Sequence, residues 1–264
     1  MEDDLEYQKY LAKVNDSGGW VLEFVPLKHR TFELCEIAVT QTGYALEWVP
    51  EHLKSPELCN IAVNDGNWVL GFVPEELRTK ELCEIAVEKN GWQLQHVPKD
   101  FKTIELCEVA VKNRGNALKY VPEEFMTMEM AESAVKDSGY NLQYVPKELK
   151  SPELCEMAVK SHGFALAYVP DKLKTKELCE VAVSQYGRLL SYVPEDLKTL
   201  EMCLRAVYDS GSALEYVPED LRTFEISGIA VANEDWALQF VPEEFQEELA
   251  EKYDVKLPEK GKDR

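Results

Sequence analysis

The dipeptide Val-Pro occurs at 25–26, 49–50, 73–74, 97–98, 121–122, 145–146, 169–170, 193–194, 217–218 and 241–242, each copy 24 residues after the last. Nothing is inserted or deleted between copies. A catalytic motif is needed once, whereas a motif repeated in strict register is a structural unit. A fixed period of this size marks supersecondary units that stack on one another rather than one enlarged core, so domain counting by length does not apply.

The residues between the Val-Pro marks spell out one unit. Ser or Thr at 31, 55, 79, 103, 127, 151, 175, 199 and 223 directly precedes an apolar-periodic run, the place of a helix N-cap. Pro56 and Pro152 then occupy the first helical position, where a missing N–H costs nothing. Glu at 33, 57, 81, 105, 129, 153, 177, 201 and 225 lies in the first turn, where negative charge meets the positive end of the helix dipole. This row of glutamates is structural before it is catalytic. The pattern predicts a first helix over 32–42 with Leu34, Cys35, Ile37, Ala38 and Val39 as a wide apolar face, and the alanine series through Ala230 as the small residues of close helix packing.

Glycine follows at 19, 43, 91, 115, 139, 163, 187 and 211, with Asn67 and Asp235 as the exceptions. All are residues that tolerate positive φ, and the expectation is a left-handed residue after the helix end. A short second helix over 44–49 carries a leucine in every unit. An aromatic stands before nearly every Val-Pro, His96 being the exception. Proline disfavours the α conformation in the valine before it and cannot continue the ladder, so Val-Pro terminates the second helix and turns the chain. The turn brings Leu53, Leu77 or Phe101 back toward the core, then a basic residue and the next cap.

A unit of this length cannot bury its own apolar face, so stacking is obligatory. The expected fold is an all-α, right-handed-type alpha solenoid of about ten helix-turn-helix repeats with terminal caps. Residues 1–30 form the N-terminal capping repeat, 31–246 nine tandem repeats, and 247–264 a C-terminal cap and frayed tail, with a charged helix over 245–253 in place of the next repeat's helix and fraying over 257–264.

The segments AVKNRGNALKYVP from Ala110 and AVYDSGSALEYVP from Ala206 give the consensus AV-x3-G-x-AL-x-YVP. This consensus resembles a bacterial family of short helical-hairpin repeats catalogued as a domain of unknown function, over about residues 8–248. The resemblance implies an all-helical array and brings no catalytic residues.

Composition narrows the function. A net charge of −20 argues against wrapping nucleic acid, which needs a basic surface. The acidity suits a basic protein partner and equally serves plain solubility. The start, MEDDLEYQKY, lacks an apolar run with basic flanks, and no stretch approaches the apolar length of a membrane span, so a cytoplasmic location is expected. The seven cysteines at 35, 59, 83, 107, 155, 179 and 203 are odd in number and share one repeat position, replaced by Ala131 and Ser227. That spacing fits neither a disulfide framework nor ligands converging on one metal, and they read as small buried hydrophobes. His29, His52, His96 and His162 occupy four different repeat positions, and there is no phosphate loop, HExxH or GxSxG. No enzyme and no cofactor is expected.

Variation between units marks where function sits. The end of the first helix varies, as does the residue after the glycine, giving candidate partner-binding residues Trp20, Tyr44, Trp68, Trp92, Lys112, Arg114, Tyr140, Phe164, Arg188 and Trp236 on one edge. Aromatics there are anchors of a protein interface or covers for neighbouring helices. Lys112, Arg114, Lys119, Lys136 and Lys160 form a basic middle. The leading reading is a non-catalytic scaffold that binds a protein partner through this edge or a concave face. The alternative is an acidic inhibitor that mimics nucleic acid in the groove of a nuclease. With layers about 9 Å apart, the charge amounts to one per about 4 to 5 Å of stack, against one per about 1.7 Å in duplex DNA, which favours the scaffold.

Overall fold

The computed structural model describes residues 2–66 and 68–257, with side chains from residue 4. It is all helical, with no strand among the described residues. The chain divides into two compact units, 1–134 and 135–264. The first holds α1 (Glu2–Ser17), α2 (Phe32–Gln41), α3 (Pro56–Asp65), α4 (Lys80–Lys89) and α5 (Ile104–Asn113), and the division falls within α6 (Met128–Asp137). The second continues with α7 (Pro152–Ser161), α8 (Lys176–Gln185), α9 (Leu200–Asp209), α10 (Phe224–Asn233) and α11 (Glu243–Tyr253). Each unit is an alpha solenoid in which a helix packs on its own following segment, on that of the repeat before, and on the adjacent helices. No helix of the described residues is long and apolar enough to cross a membrane.

The helix starts are where the sequence puts them. Thr31, Ser55, Thr79, Thr103, Thr127, Ser151, Thr175, Thr199 and Thr223 each accept the backbone N–H three residues on through the side-chain hydroxyl. The Glu81 and Glu105 carboxyls are held below their ordinary range by backbone N–H donation in the first turn and by the capping threonine. The seven cysteines are fully buried, as are nearly all of the alanines three residues beyond them.

The second segment is the expected short helix, but of the 3-10 type and shifted one residue toward the N-terminus. It is a six-residue 3-10 helix such as Gly43–Trp48, followed by a three-residue one such as Glu51–Leu53. The reason is periodicity: in a 3-10 helix residues three apart eclipse. Gly43, Leu46 and Val49 are accordingly all buried, while Tyr44 and Glu47 share the exposed side. Val49 ends the segment in an extended conformation at φ −73°, ψ 128°, as the following proline dictates. The first helix also stops one residue early, at Gln41.

The glycines are not left-handed. Among the described residues only Gly18 and Asp254 have positive φ. Glycine is needed at 43 because the next repeat comes too close. A Cβ there would lie 2.1 Å from the Ala62 carbonyl oxygen, and one at Gly91 would lie 2.1 Å from that of Ala110. Position 67 lies outside the described residues, and the 3-10 helix after it spans only Leu70–Phe72. Asp235 opens a full-length segment, Asp235–Phe240, packed against α11 rather than against a further consensus repeat. α11 starts at Glu243, two residues earlier than predicted. The expected fraying of the tail falls, from residue 258, outside the described residues.

Two sets of polar side chains tie repeat to repeat. The basic residue before eight of the nine caps, Met126 being the exception, reaches the carbonyl 18 residues on, at the C-terminal end of the next 3-10 helix. Arg30 thus donates to Trp48 O at 2.6 Å, Lys54 to Phe72 O at 2.8 Å, Arg78 to His96 O at 2.9 Å and Lys102 to Tyr120 O at 2.9 Å. In the second unit Lys150, Lys174, Lys198 and Arg222 do the same toward Tyr168, Tyr192, Tyr216 and Phe240. These donors satisfy carbonyls that a helix end leaves unpaired. Lys198 makes its bond at 2.7 Å with its side chain only 8% exposed. Lys198→Met, the residue found naturally at 126, is expected to cost about 1.5–3 kcal/mol, the range for a hydrogen bond to a charged donor. Urea denaturation of the two proteins checks this, and equal midpoints would show that the staple is dispensable.

The second set caps the 3-10 helices from above. Asp65 accepts from Gly43 N at 2.7 Å, Asn113 from Gly91 N at 3.0 Å, Gln185 from Gly163 N at 2.8 Å and Asp209 from Gly187 N at 2.7 Å. His162 Nδ1 accepts from Gly139 N at 3.3 Å. Where the residue is an amide, its N–H₂ turns back to the last carbonyls of the preceding helix, as Asn113 does to Glu88 and Gln185 to Val159.

Candidate functional site

In most repeats the residue after the glycine position, at the start of the 3-10 segment, faces out, whereas Ser212 is buried. In the first unit Trp20, Tyr44 and Trp68 stand 43–53% exposed, and in the second Tyr140, Phe164 and Trp236 stand 38–49% exposed. Their rings touch one another or the aromatic four residues on. Trp20 meets Phe24, and Tyr44 meets Trp48 and Phe72 edge-on at centroid distances of 5.6 and 5.1 Å. In the second unit Tyr140 stacks on Phe164 at 6.4 Å, and Phe164 touches Tyr186, an aromatic from the helix end that sequence reasoning did not single out. Trp236 meets Phe240.

Trp92 differs from the other tryptophans. It is half-buried between Trp68 and Tyr120, its indole N–H donates to Asn116, and its backbone N–H donates to Asn90. Trp92 therefore covers its neighbours, the second of the two roles open to an aromatic on this edge. Lys112, Arg114 and Arg188 are exposed, and Lys160 is paired with Glu156 at 2.5 Å. The variable helix-end positions include the caps Asp65 and Asn113, so part of that variation serves the stack. A signal for this exists in the sequence: those positions hold hydrogen-bonding side chains at a fixed spacing of 22 residues from the glycine they cap.

The electrostatics of the aromatic side are acidic at several repeats. Glu47 accepts from the Tyr44 hydroxyl and pushes that phenol above its usual value, helped by burial and by Glu23. The Tyr216 phenol is raised by burial and then by Glu215.

The histidines at 29 and 162 have structural partners. His29 is buried against Glu6 at 3.1 Å, and His162 caps Gly139. Burial, and then Arg78, pull the His96 imidazole below its usual value. Among the described residues, no group of three or more His, Cys, Asp or Glu side chains is arranged to hold a metal ion.

Comparison with known proteins bears on the repeat rather than on the site. No curated protein matches the chain. The family described as Domain of unknown function (DUF4116) matches five times, at residues 55–102, 79–126, 127–174, 151–198 and 175–222, each match spanning two consecutive repeats. With most of its length covered in register with its helices, the chain belongs to the DUF4116 repeat family.

Proposed function

We propose that the protein is a non-catalytic helical-repeat scaffold that binds a protein partner through the aromatic side of its 3-10 helices. One observation carries this reading. The fold buries the two residues that follow each of them, yet leaves Trp20, Tyr44, Trp68, Tyr140, Phe164 and Trp236 facing out. Large exposed aromatics grouped on one side of a repeat are the usual anchors of an interface, because they desolvate much area with little loss of side-chain freedom. Lys112, Arg114 and Arg188 belong to the same reading as polar contacts beside the anchors.

Trp68→Ala is the clean test, since Trp92 has structural contacts and Trp68 is half exposed. Partner retained from a lysate on the immobilised protein at raised salt is expected to fall at least about tenfold with this variant, as for an interface anchor. Thermal stability should fall by about 0.5–1.5 kcal/mol, the range for the edge-on contact with Trp92 that the variant removes. Retention that is unchanged by Trp68→Ala, or that vanishes with salt and is competed by nucleic acid, would reject the scaffold reading; the second result is the signature of an acidic nucleic-acid mimic.

A further inference from the structure

The pocket between 99–102 and 119–125 in the first unit is lined by Lys99, Lys102, Lys119, Tyr120, Val121, Pro122, Glu124 and Phe125, with a volume of about 450 Å³. Three cations and one carboxylate face it, in a chain whose net charge is −20. The corresponding pocket at the last repeat, at Glu219, Asp220, Arg222, Glu243 and Glu244, is acidic.

The reversal comes from two breaks in the repeat pattern, at Lys99 and Lys119. In three other repeats the lysine staple is paired with an acid three residues before it: Glu51 lies 2.7 Å from Lys54, Asp171 2.8 Å from Lys174 and Glu195 2.6 Å from Lys198. Before Lys102 that acid is replaced by Lys99. Lys102 still donates to Tyr120 O, which fixes its ammonium at the pocket wall without a carboxylate. Burial lowers its affinity for a proton, and Lys99 lowers it further. Lys147 repeats the substitution before Lys150, but there Ala167 stands in the place of Lys119. Lys119 takes a position held elsewhere by Glu, Gln, Gly, Ala or Ser, and lies over the Tyr120 ring at 5.4 Å.

We propose that this pocket binds a dianionic oxyanion, a phosphate group, between Lys99, Lys102 and Lys119. The three ammonium groups less Glu124 leave two positive charges, which match a phosphate dianion. Lysine acts here as a point charge, with its free protons donated to the phosphate oxygens. Tyr120, Val121, Pro122 and Phe125 provide an apolar wall that would accommodate the carbon stem of a phosphate ester.

The test uses the full chain and inorganic phosphate, followed by amide NMR shifts against chloride at equal ionic strength. Expected are saturable shifts confined to 99–102 and 119–125, with affinity reduced at least about tenfold in Lys99→Glu and in Lys119→Gln, the loss of one charge-assisted contact each. Lys99→Glu restores the Glu–Lys pair of the other repeats, so its thermal midpoint should equal or exceed that of wild type, and a loss of binding then reports the pocket rather than the fold. A second arm titrates O-phosphoserine. Binding tighter than phosphate identifies an ester as the source, weaker binding identifies the free anion, and either result supports the site. Shifts no larger than those with chloride, or a Lys99→Glu protein that binds as wild type does, would overturn it.

Discussion

Gly187→Ala is expected to destabilise the second unit by about 3 kcal/mol or more, while Gly228→Ala leaves it unchanged or raises its stability by up to about 1 kcal/mol. The two substitutions add the same methyl group to the same unit. At Gly187 a Cβ would lie 2.2 Å from the Ala206 carbonyl oxygen, 3.0 Å from its carbonyl carbon and 3.1 Å from its Cα. All three are backbone atoms of α9, so no side chain can swing aside. The repeats must separate, and with them goes the bond from Gly187 N to Asp209. At Gly228, inside α10, the added Cβ meets Leu249 Cδ2 and Tyr253 Oη at 3.5 Å, ordinary contact distance. Alanine there removes the entropic penalty of glycine in a helix. Urea denaturation by circular dichroism separates the two outcomes. Equal small effects would mean that the repeats pack less closely than a direct contact of glycine on carbonyl.

The same contrast separates what the residues declare from what only stacking reveals. Local chemistry is legible: nine hydroxyl caps, the terminating Val-Pro pairs and the buried cysteine row follow from residue type and spacing. The glycine position is legible but its cause is not. Asn67 and Asp235 suggest positive φ, yet the steric demand comes from a carbonyl about 19 residues ahead, in the next repeat. Periodicity within one unit cannot reveal a contact between units.

The staples follow the same logic. The Lys or Arg before eight of the nine caps shows in the sequence only as a basic residue closing a turn, because its target, a carbonyl 18 residues on, exists only once the repeats are stacked. The 3-10 helix is more accessible. Gly43, Leu46 and Val49 recur every third residue, a period that an α-helix does not favour, and that period puts Tyr44 on the open side by argument rather than by variability. For the candidate site, sequence variation picks out Trp20, Trp68 and Trp236, which are exposed. It cannot separate them from Trp92, whose hydrogen bond to Asn116 depends on the neighbouring repeat.

Alkaline pH should unfold the protein, and the thiols set the window. Burial raises Cys35, Cys59, Cys83, Cys107, Cys179 and Cys203 from an ordinary value of 9.0 to about 11, and raises Cys155 as well. Below pH 9 each thiol is protonated in both the folded and the unfolded chain, and its contribution is fully present. Between pH 9 and 11 the unfolded chain releases these protons while the folded chain keeps them, so unfolding becomes more favourable as pH rises. Each thiol then removes up to about 1.4 kcal/mol per pH unit. The Tyr44 and Tyr216 phenols, raised by Glu47 and by burial respectively, add to the loss. Lys102 and Lys150, lowered by burial, oppose it, but they are two against seven. The first unit, with four of the cysteines, is expected to lose about 5 kcal/mol per pH unit at the steepest point. Urea midpoints between pH 8 and 11 measure the loss. Thiolate absorbance in the folded protein should stay absent until near pH 11 and appear at once on unfolding. Cys59→Ala, which copies the alanine found naturally at 131, should remove one thiol's share of the slope. A midpoint at pH 10.5 equal to that at pH 8, or native thiols that react as fast as free cysteine at pH 8, would show that the cysteine row is open to water and that the close contact between repeats is wrong.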